Sequence, residues 1–384
     1  MLNRRQFLAG ATAVAASGGP KPAPPPPSIV LVAIEDLGAW MTGIDGAPDL
    51  RTPNLDQIAR TGTRFLHAST ASPAPQPGFD TLLTGLSPAR LTSAGSSASA
   101  LDKILAARGY RTASVTEGDV ASVSGGLLRF LDQQTANQPF CAIVRYAPLR
   151  EVGKTPAKYA QPFTDNSFVK TGRMPAAANA TDKLAFALIV QRLRDAAAAI
   201  AYCDDQFPAI QRKLLERGVF DNTLLVVTGT NGVLLGRHGL WGDGRASTPP
   251  NMFQEVVGVP LIWNWPSAVP AASIRPEVVS LCDVLPTLCE LTGAPAPASS
   301  GRSLVRAVLS QKYPKKEAWH DRAWASLDGT SMARDARYKI ILHANGSGEL
   351  YDLDNDPGEM INHLDDSEFI AVRDALTREL NRWK

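Results

Sequence analysis

The alternation of apolar runs and amphipathic stretches predicts a chain in which buried strands alternate with helices. Residues 28–34 form a continuous apolar run rich in β-branched side chains, which is typical of a strand buried on both faces. Strands alternating with helices favour an α/β fold, with a doubly wound, mostly parallel sheet flanked by helices. Residues 87–100 are rich in Ser, Ala and Gly and predict a loop. We predict further strands at 111–115, 140–146 and 224–228, and helices at 53–59, 101–108, 183–217 (interrupted near Pro208) and 284–291.

A different pattern begins near residue 320 and predicts a second, smaller unit. Short strand candidates are separated there by turns that contain Gly and Asp, and an amphipathic stretch over 368–383 closes the chain. We expect a small antiparallel sheet covered by one helix. The strand candidates are residues 324–327, 338–343 and 349–352. We therefore expect an α/β domain over 28–315 and a small α+β subdomain over 316–384.

Residues 1–27 are typical of an export signal followed by a spacer. Paired arginines, Arg4 and Arg5, precede a short apolar stretch over 8–16, and this arrangement resembles a twin-arginine signal. The tract from Pro20 to Pro27 predicts an extended spacer. The apolar stretch is about half of the roughly 20 residues that a bilayer requires, so we predict no membrane-spanning segment. We expect a bacterial protein that works in the periplasm or outside the cell.

Composition excludes several classes of protein. With 44% hydrophobic and 20% charged residues, most of the chain has the composition of a folded domain. The formal net charge is only +2, and the basic excess lies in the first 28 residues, so a nucleic-acid partner is not expected. The four Cys are too sparse for a disulfide scaffold and are predicted to be buried thiols. The five His lack the spacing of a zinc site.

Two pairs of carboxylates stand out along the chain. Glu35 and Asp36 directly follow the first strand, and open α/β sheets hold their ligands at the carboxyl ends of strands. The alternative is that this pair only caps a turn. Asp204 and Asp205 lie within a predicted helix, where neighbouring side chains diverge, and we interpret them as part of a solvated face.

Several short segments occur together in an order that identifies a family. They are residues 34–38, 51–56, 62–65, 72–73, 82–85, 221–223, 230–232, 235–242, 258–262 and 350–358. From about residue 28 to the C-terminus, the sequence resembles the sulfatases of the alkaline phosphatase superfamily. The resemblance depends on the order of the segments rather than on any one of them. The small C-terminal unit also matches the usual second domain of that family.

The resemblance implies a divalent cation site, usually for calcium. Members of the family hold the ion with acidic residues after the first strand and with an Asp-Asn pair after a later one, and hard oxygen ligands suit such an ion. Here Glu35, Asp36 and Asn231 occupy ligand positions, whereas Thr230 replaces the second Asp. We therefore expect calcium to bind weakly or not at all. Asn231 could equally be a turn residue beside Gly232.

The resemblance also implies that the family's nucleophile is missing. Sulfatases convert a Cys or Ser in a C/S-x-P-x-R motif to formylglycine, whose hydrate attacks sulfur. Here Pro75 stands at that position, Pro77 at the Pro and Phe79 at the Arg of the motif. Proline has no side-chain heteroatom, so no formylglycine is expected. Asp80 or Thr81 could replace the nucleophile, although we favour helix capping for one of them.

Further substitutions replace cations that the family places around sulfate. Glu117, Asp119 and Asp243 stand where the family has Lys, His and Lys, and Leu149 stands where it often has a His. Carboxylates at these places would repel a sulfate ester, so we expect a pocket of inverted, negative sign. His238 lies in the best-kept segment and is the candidate catalytic residue, with a structural role in holding its loop as an equal alternative.

Two functional hypotheses follow. The first is an exported pseudoenzyme of the sulfatase fold, which binds an unidentified ligand or protein partner through a remodelled pocket or is decaying. The second is an active sulfate- or phosphate-ester hydrolase, in which a metal held by Glu35, Asp36 and Asn231 activates a water and a non-standard residue serves as nucleophile. The joint loss of the nucleophile, the arginine, two lysines and one acidic ligand favours the first hypothesis.

Overall fold

A seven-stranded sheet runs through the larger part of the protein. The computed structural model describes residues 26–47, 50–95, 100–163, 183–310 and 321–383. The strands of this sheet are β1 (Ser28–Ile34), β2 (Thr63–Ser69), β3 (Arg111–Val115), β4 (Phe140–Tyr146), β5 (Thr223–Gly229), β6 (Leu261–Asn264) and β7 (Ser273–Ser280). They lie in the order β3-β4-β1-β5-β6-β2-β7, and β6 runs antiparallel to its neighbours while the other pairs are parallel. The prediction of a mostly parallel sheet is confirmed.

The position of β1 explains why the sheet is covered on both faces. All seven of its residues are buried, and it pairs with β4 on one side and with β5 on the other. Val30 and Val32 belong to one apolar layer, and Ile29 and Leu31 belong to the opposite one. Because successive side chains of a strand point to opposite faces, an apolar strand needs a covering layer on each side. The doubly wound arrangement expected from residues 28–34 is therefore confirmed.

Helices supply these two layers. They are α1 (Pro53–Arg60), α2 (Pro75–Thr84), α3 (Pro88–Ala94), α4 (Leu101–Ala107), α5 (Val120–Asp132), α6 (Lys183–Asp204), α7 (Phe207–Glu216), α8 (Gln254–Val257), α9 (Val284–Thr292), α10 (Val305–Leu309) and α11 (Ile370–Trp383). Side chains of α1, α5, α6 and α7 pack on the face that contains Val30. Side chains of α2, α4, α9 and α10 pack on the face that contains Ile29. The predicted interruption near Pro208 is observed, since α6 ends at Asp204 and α7 begins at Phe207.

Two interpretations of the sequence are wrong in this part of the fold. The predicted loop over 87–100 contains α3, which begins with Pro88, a residue whose fixed φ suits the first position of a helix. Asp204 is not on a solvated face, because it is 4% exposed. Its two carboxylate oxygens accept the backbone N–H groups of Asn54 and Leu55, at 3.0 and 2.8 Å. Asp204 therefore satisfies the free donors at the start of α1, a contact between residues about 150 positions apart.

A four-stranded antiparallel sheet forms the C-terminal part. Its strands are β8 (Ala323–Leu327), β9 (Thr330–Arg334), β10 (Tyr338–Leu342) and β11 (Gly348–Asp352), in the order β11-β10-β9-β8. One face packs on α11 through Leu376 and Leu380, and the other packs against Met252 and Val256. The predicted sheet and covering helix are confirmed. The sequence pattern missed β9, whose residues Thr-Ser-Met-Ala-Arg lack a clear apolar run.

Several expectations concern regions at the limits of the description. The twin-arginine signal and most of the spacer within 1–27, and the domain boundary between residues 315 and 316, lie outside the described residues and remain predictions. All four Cys are buried and free, as predicted. Within the described ranges, no helix combines the length and the apolar composition needed to cross a membrane.

Candidate functional site

The carboxyl ends of β1 and β5 bring the predicted metal residues together. In the parallel register, Ile34 at the end of β1 pairs with Gly229 at the end of β5. The chain continues from these strands into Glu35 and Asp36 on one side and Asn231 on the other. Asp36 and Asn231 are 195 positions apart in the sequence, yet their side chains are hydrogen-bonded. The sheet thus creates the site that the positions of the two segments predicted.

Asp36 is held by an amide. Asn231 Nδ2 donates to Asp36 Oδ1 over 2.7 Å, and the Asp36 backbone N–H donates to Asn231 Oδ1 over 3.2 Å. The hydroxyl of Thr230 also donates to Asn231 Oδ1, at 2.9 Å. Burial raises the pKa of Asp36 to about 6, although the hydrogen bond from Asn231 acts in the opposite direction. Thr230, which stands where the family has an Asp, therefore serves to orient the amide.

Glu35 is held between two guanidinium groups. Its Oε1 lies 2.6 Å from Nη2 of Arg145, and its Oε2 lies 2.5 Å from Nη2 of Arg150. The side chains of Glu35 and Arg145 are only 3% and 11% exposed, whereas that of Arg150 is 63% exposed. Arg145 belongs to β4, the neighbour of β1, and Arg150 follows in the loop after that strand. Both carboxylate oxygens of Glu35 therefore have charged partners within the protein.

Arg145 also contacts the helix that carries the position of the missing nucleophile. Its Nη1 donates to Gln76 Oε1 over 2.6 Å, and its Cζ lies 4.7 Å from the centre of the Phe79 ring. Gln76 in turn donates to Asp80 over 2.7 Å. The guanidinium of Arg145 thus connects Glu35, at the end of β1, with the first turns of α2.

The start of α2 lies at this same edge of the sheet. The helix begins at Pro75, which is buried. A Cβ added to Gly78 would lie 2.2 Å from the carbonyl oxygen of Thr230, so this close approach of α2 to the end of β5 requires glycine. Asp80 and Thr81 lie inside α2 and do not cap it, so the capping interpretation is wrong. The Thr81 hydroxyl donates to the carbonyl of Gly78.

His238 is bound to a carboxylate on α8. Its Nε2 lies 3.3 Å from Oε2 of Glu255, and its ring stacks on Phe253 with the ring centres 3.7 Å apart. Arg237 donates to the other oxygen of Glu255 over 2.9 Å. Burial would raise the pKa of Glu255, but the hydrogen bonds from His238 and Arg237 outweigh it and lower the pKa to about 2. These contacts hold the loop of His238 on α8 and leave its catalytic role a prediction.

Two of the three acidic positions behind the expected negative pocket have cationic neighbours in the structure. Asp243 is paired with Arg245, whose Nη2 lies 2.5 Å from Oδ2. Asp119 accepts the backbone N–H of Ser122 at the start of α5 and lies 3.8 Å from Nζ of Lys154. Glu117 is exposed. Arg245 and Lys154 therefore offset part of the negative charge of Asp243 and Asp119, and the sign of the pocket remains a prediction.

Arg145 is one of several site residues, with Arg150, Arg245 and Glu255, that the sequence did not identify. The signal was present, because Arg145 is the one charged residue in the apolar strand Phe-Cys-Ala-Ile-Val-Arg-Tyr of β4. A charged group in a buried strand requires a partner of opposite charge. The sequence could not say which carboxylate that partner is.

The donor set does not fit a divalent cation. Calcium in proteins takes about six to eight oxygen ligands. Here both oxygens of Glu35 accept from guanidinium groups, and Asp36 accepts from the amide nitrogen of Asn231. Among the residues that the structure describes, no group of three or more His, Cys, Asp or Glu side chains could hold a metal ion.

Comparison with known families gives two matches that together span the described fold. Residues 27–167 and 126–294 match the family described as Sulfatase. Residues 236–384 match the family described as N-sulphoglucosamine sulphohydrolase, C-terminal. The first match covers the large sheet and the second covers the small sheet with α11.

Individual sulfatases are also similar to the chain in sequence. The chain is 27% identical over 201 residues to an N-acetylglucosamine-6-O-sulfatase of Bacteroides thetaiotaomicron. The matched region covers 50% of this chain and 35% of the relative. The chain thus matches about a third of that relative's length. It is 25% identical over 436 residues to human arylsulfatase A, with 88% of this chain and 83% of the relative covered.

A solved structure resembles the fold over nearly its whole length. The phosphonate monoester hydrolase of Agrobacterium radiobacter superposes with a TM-score of 0.78 at 18% identity, and 93% of this chain and 95% of that chain are covered. At this identity the likeness concerns the fold.

Proposed function

We propose that this chain, which belongs to the sulfatase family, no longer hydrolyses sulfate esters through formylglycine. We further propose that it is exported and that it binds a ligand or a protein partner. The fold is that of the family, whereas the groups that react with sulfate esters in the family are proposed to be lost. It includes weak or absent calcium binding, work in the periplasm or outside the cell, and no nucleic-acid partner.

The observation that carries the proposal is Pro75 at the first position of α2. Counted from the flanking segments at 72–73 and 82–85, Pro75 stands at the formylglycine position of an active sulfatase. Its pyrrolidine ring offers neither a group to modify nor a nucleophilic atom. Phe79 stands at the place of the motif arginine, and its ring lies against the guanidinium of Arg145. The helix is thus in place at the edge of the sheet without the side chains that attack sulfur and stabilise the developing charge.

The paired carboxylates support the proposal in a second way. A sulfate ester needs cations that are free to contact it, and three cations at the site already contact two carboxylates of the chain. Arg145 and Arg150 pair with Glu35, and Arg245 pairs with Asp243. An anionic substrate would have to compete with these internal partners.

A turnover assay tests the loss of catalysis. The purified protein is incubated with an aryl sulfate and with an aryl phosphate ester, beside the Glu35→Ala/Asp36→Ala variant and an active sulfatase prepared in the same way. We expect the protein and its double variant to release product at the same background rate, while the active sulfatase turns over the aryl sulfate. Turnover by the protein that the double variant abolishes would contradict the proposal and support the metal-dependent hydrolase.

The export proposal has a separate test. Replacing Arg4 and Arg5 with Lys should keep the protein in the cytoplasmic fraction, because the paired arginines are the feature that resembles the signal. Unchanged distribution between the cytoplasmic and exported fractions would contradict export by this route.

A further inference from the structure

We propose that Arg145 is a built-in cation of this centre, whose guanidinium takes the place of a divalent ion, so that the protein folds and holds its site together without calcium. The inference extends the proposed function, since a centre with its own cation has no need of a bound one. Its test measures calcium binding and stability rather than turnover, so the role of Arg145 can fail while the loss of sulfate-ester hydrolysis stands, and the reverse.

The first support is the position of Arg145 between two elements. Its Cα pairs with that of Ala33, two residues before Glu35, so the side chain starts beside the end of β1. One guanidinium nitrogen reaches the carboxylate of Glu35 and another reaches the amide oxygen of Gln76 in α2, both at 2.6 Å. A cation that binds oxygen atoms from two separate segments performs the joining role that a bound metal ion performs in other sites.

The second support is charge. The side chain of Glu35 is almost fully buried, and an ionised carboxylate in that environment needs a cation close by. Arg145 and Arg150 both supply one, but Arg150 is largely exposed to water, so Arg145 is the buried partner. A divalent ion at Glu35 would lie next to a positive charge that cannot lose its proton, and the two cations would repel each other.

The third support is the direction of the Asn231 amide. As a metal ligand, Asn231 would direct its oxygen to the ion. Here that oxygen accepts from the Thr230 hydroxyl and the Asp36 backbone N–H, while the amide nitrogen donates to Asp36 Oδ1 and to the carbonyl of Gly232. Every polar atom of the Asn231 side chain therefore has a partner within the chain.

The test compares calcium binding by the wild type with that of variants that remove the guanidinium. Arg145→Met keeps the apolar contact with Phe79 but lacks the charge, and Arg145→Met/Thr230→Asp also restores the third carboxylate of the family. Arg145→Lys is the matched control, because it keeps a positive charge near Glu35. Calorimetry with calcium chloride and the melting temperature in calcium or in EDTA are measured for all four proteins.

We expect the wild type and Arg145→Lys to show no saturable calcium binding below about 1 mM and the same melting temperature in calcium and in EDTA. The Arg145→Met/Thr230→Asp variant should bind calcium at least about tenfold more tightly than the wild type and melt at a higher temperature in calcium than in EDTA. Folding of this variant in calcium but not in EDTA would also support the proposal.

Two results would overturn it. One is calcium binding by the wild type below about 1 mM, with a melting temperature that EDTA lowers. The other is a double variant that gains nothing from calcium, whether it is folded or unfolded, because calcium then fails to take the role assigned to the guanidinium.

Discussion

Two buried glutamates of this protein are held by cations in different surroundings. Glu35 lies at the end of β1, and one of its two arginine partners is 63% exposed. Glu359 lies between the small sheet and α8, and it forms an ion pair with Lys339 in which both side chains are 0% exposed. Without the exposed Arg150, the buried Arg145 would still lie beside Glu35, whereas Lys339 is the buried cation that pairs with Glu359. We therefore expect substitution of Arg150 to cost less stability than substitution of Lys339. Lys339 lies in the contact between the small sheet and α8, which we call the joint and which also contains Glu359, Arg334 and Gln254.

The joint has several further contacts. Lys339 Nζ donates to the carbonyl of Met252 over 2.7 Å, and Glu359 accepts the backbone N–H of Gln254 over 2.5 Å. Arg334 donates to the side-chain oxygen of Gln254 over 2.9 Å. The short helix α8 thus meets the small sheet through Gln254 and the candidate site through its next residue, Glu255. One turn of helix connects the two regions.

The largest effect is expected at the joint. Lys339→Met leaves Glu359 buried without its cation and should lower the free energy of unfolding by about 3–5 kcal/mol, measured by denaturant titration. Lys339→Met/Glu359→Gln should recover most of the loss, because it removes the unpaired charge. Lys154→Met, at an exposed pair, is the control and should leave the denaturation midpoint unchanged. A loss from Lys339→Met no greater than that of the control would contradict the comparison.

A smaller, pH-dependent effect is expected at the residue between the two regions. The pKa of Glu255 in the folded protein is about 2, below its ordinary value of 4.5, so its ionised form stabilises the fold. This contribution is fully present above about pH 4.5 and is lost as the pH falls towards about 2. The difference in unfolding free energy between wild type and Glu255→Gln should therefore shrink by about 2 kcal/mol between pH 6 and pH 3. A difference that is constant over this range would show that the folded and unfolded pKa values are alike.

The smallest effect is expected at the exposed partner of Glu35. Arg150→Met should change the free energy of unfolding by less than about 1 kcal/mol, because Arg150 is largely in water and Arg145 remains beside the carboxylate. Denaturant titration of this variant beside Lys339→Met gives the comparison directly. If Arg150→Met lowers the free energy of unfolding as much as Lys339→Met does, the proposed difference between Glu35 and Glu359 is wrong.

The sequence predicted the elements of this fold better than it predicted their contacts. The strand over 28–34 could be predicted because a short apolar run rich in β-branched residues is typical of a strand that is covered on both faces. β9 was missed because its sequence is largely polar. It is a strand because it pairs with β8 on one side and β10 on the other, and a local sequence pattern does not reveal such pairing. The interpretation of Asp204 was wrong for a related reason, since its partners lie in α1, about 150 positions earlier in the sequence.

For the candidate site, the sequence by itself determined which residues stand at the ends of β1 and β5 and that Pro75 lacks a reacting atom. Local chemistry and the order of the segments were enough for that. Only the tertiary structure decided the charge of the site, because Arg145 reaches Glu35 from a neighbouring strand more than 100 positions away. The physical reason is that charges act through space over a few ångströms, and the sequence alone does not reveal which charges the fold brings that close.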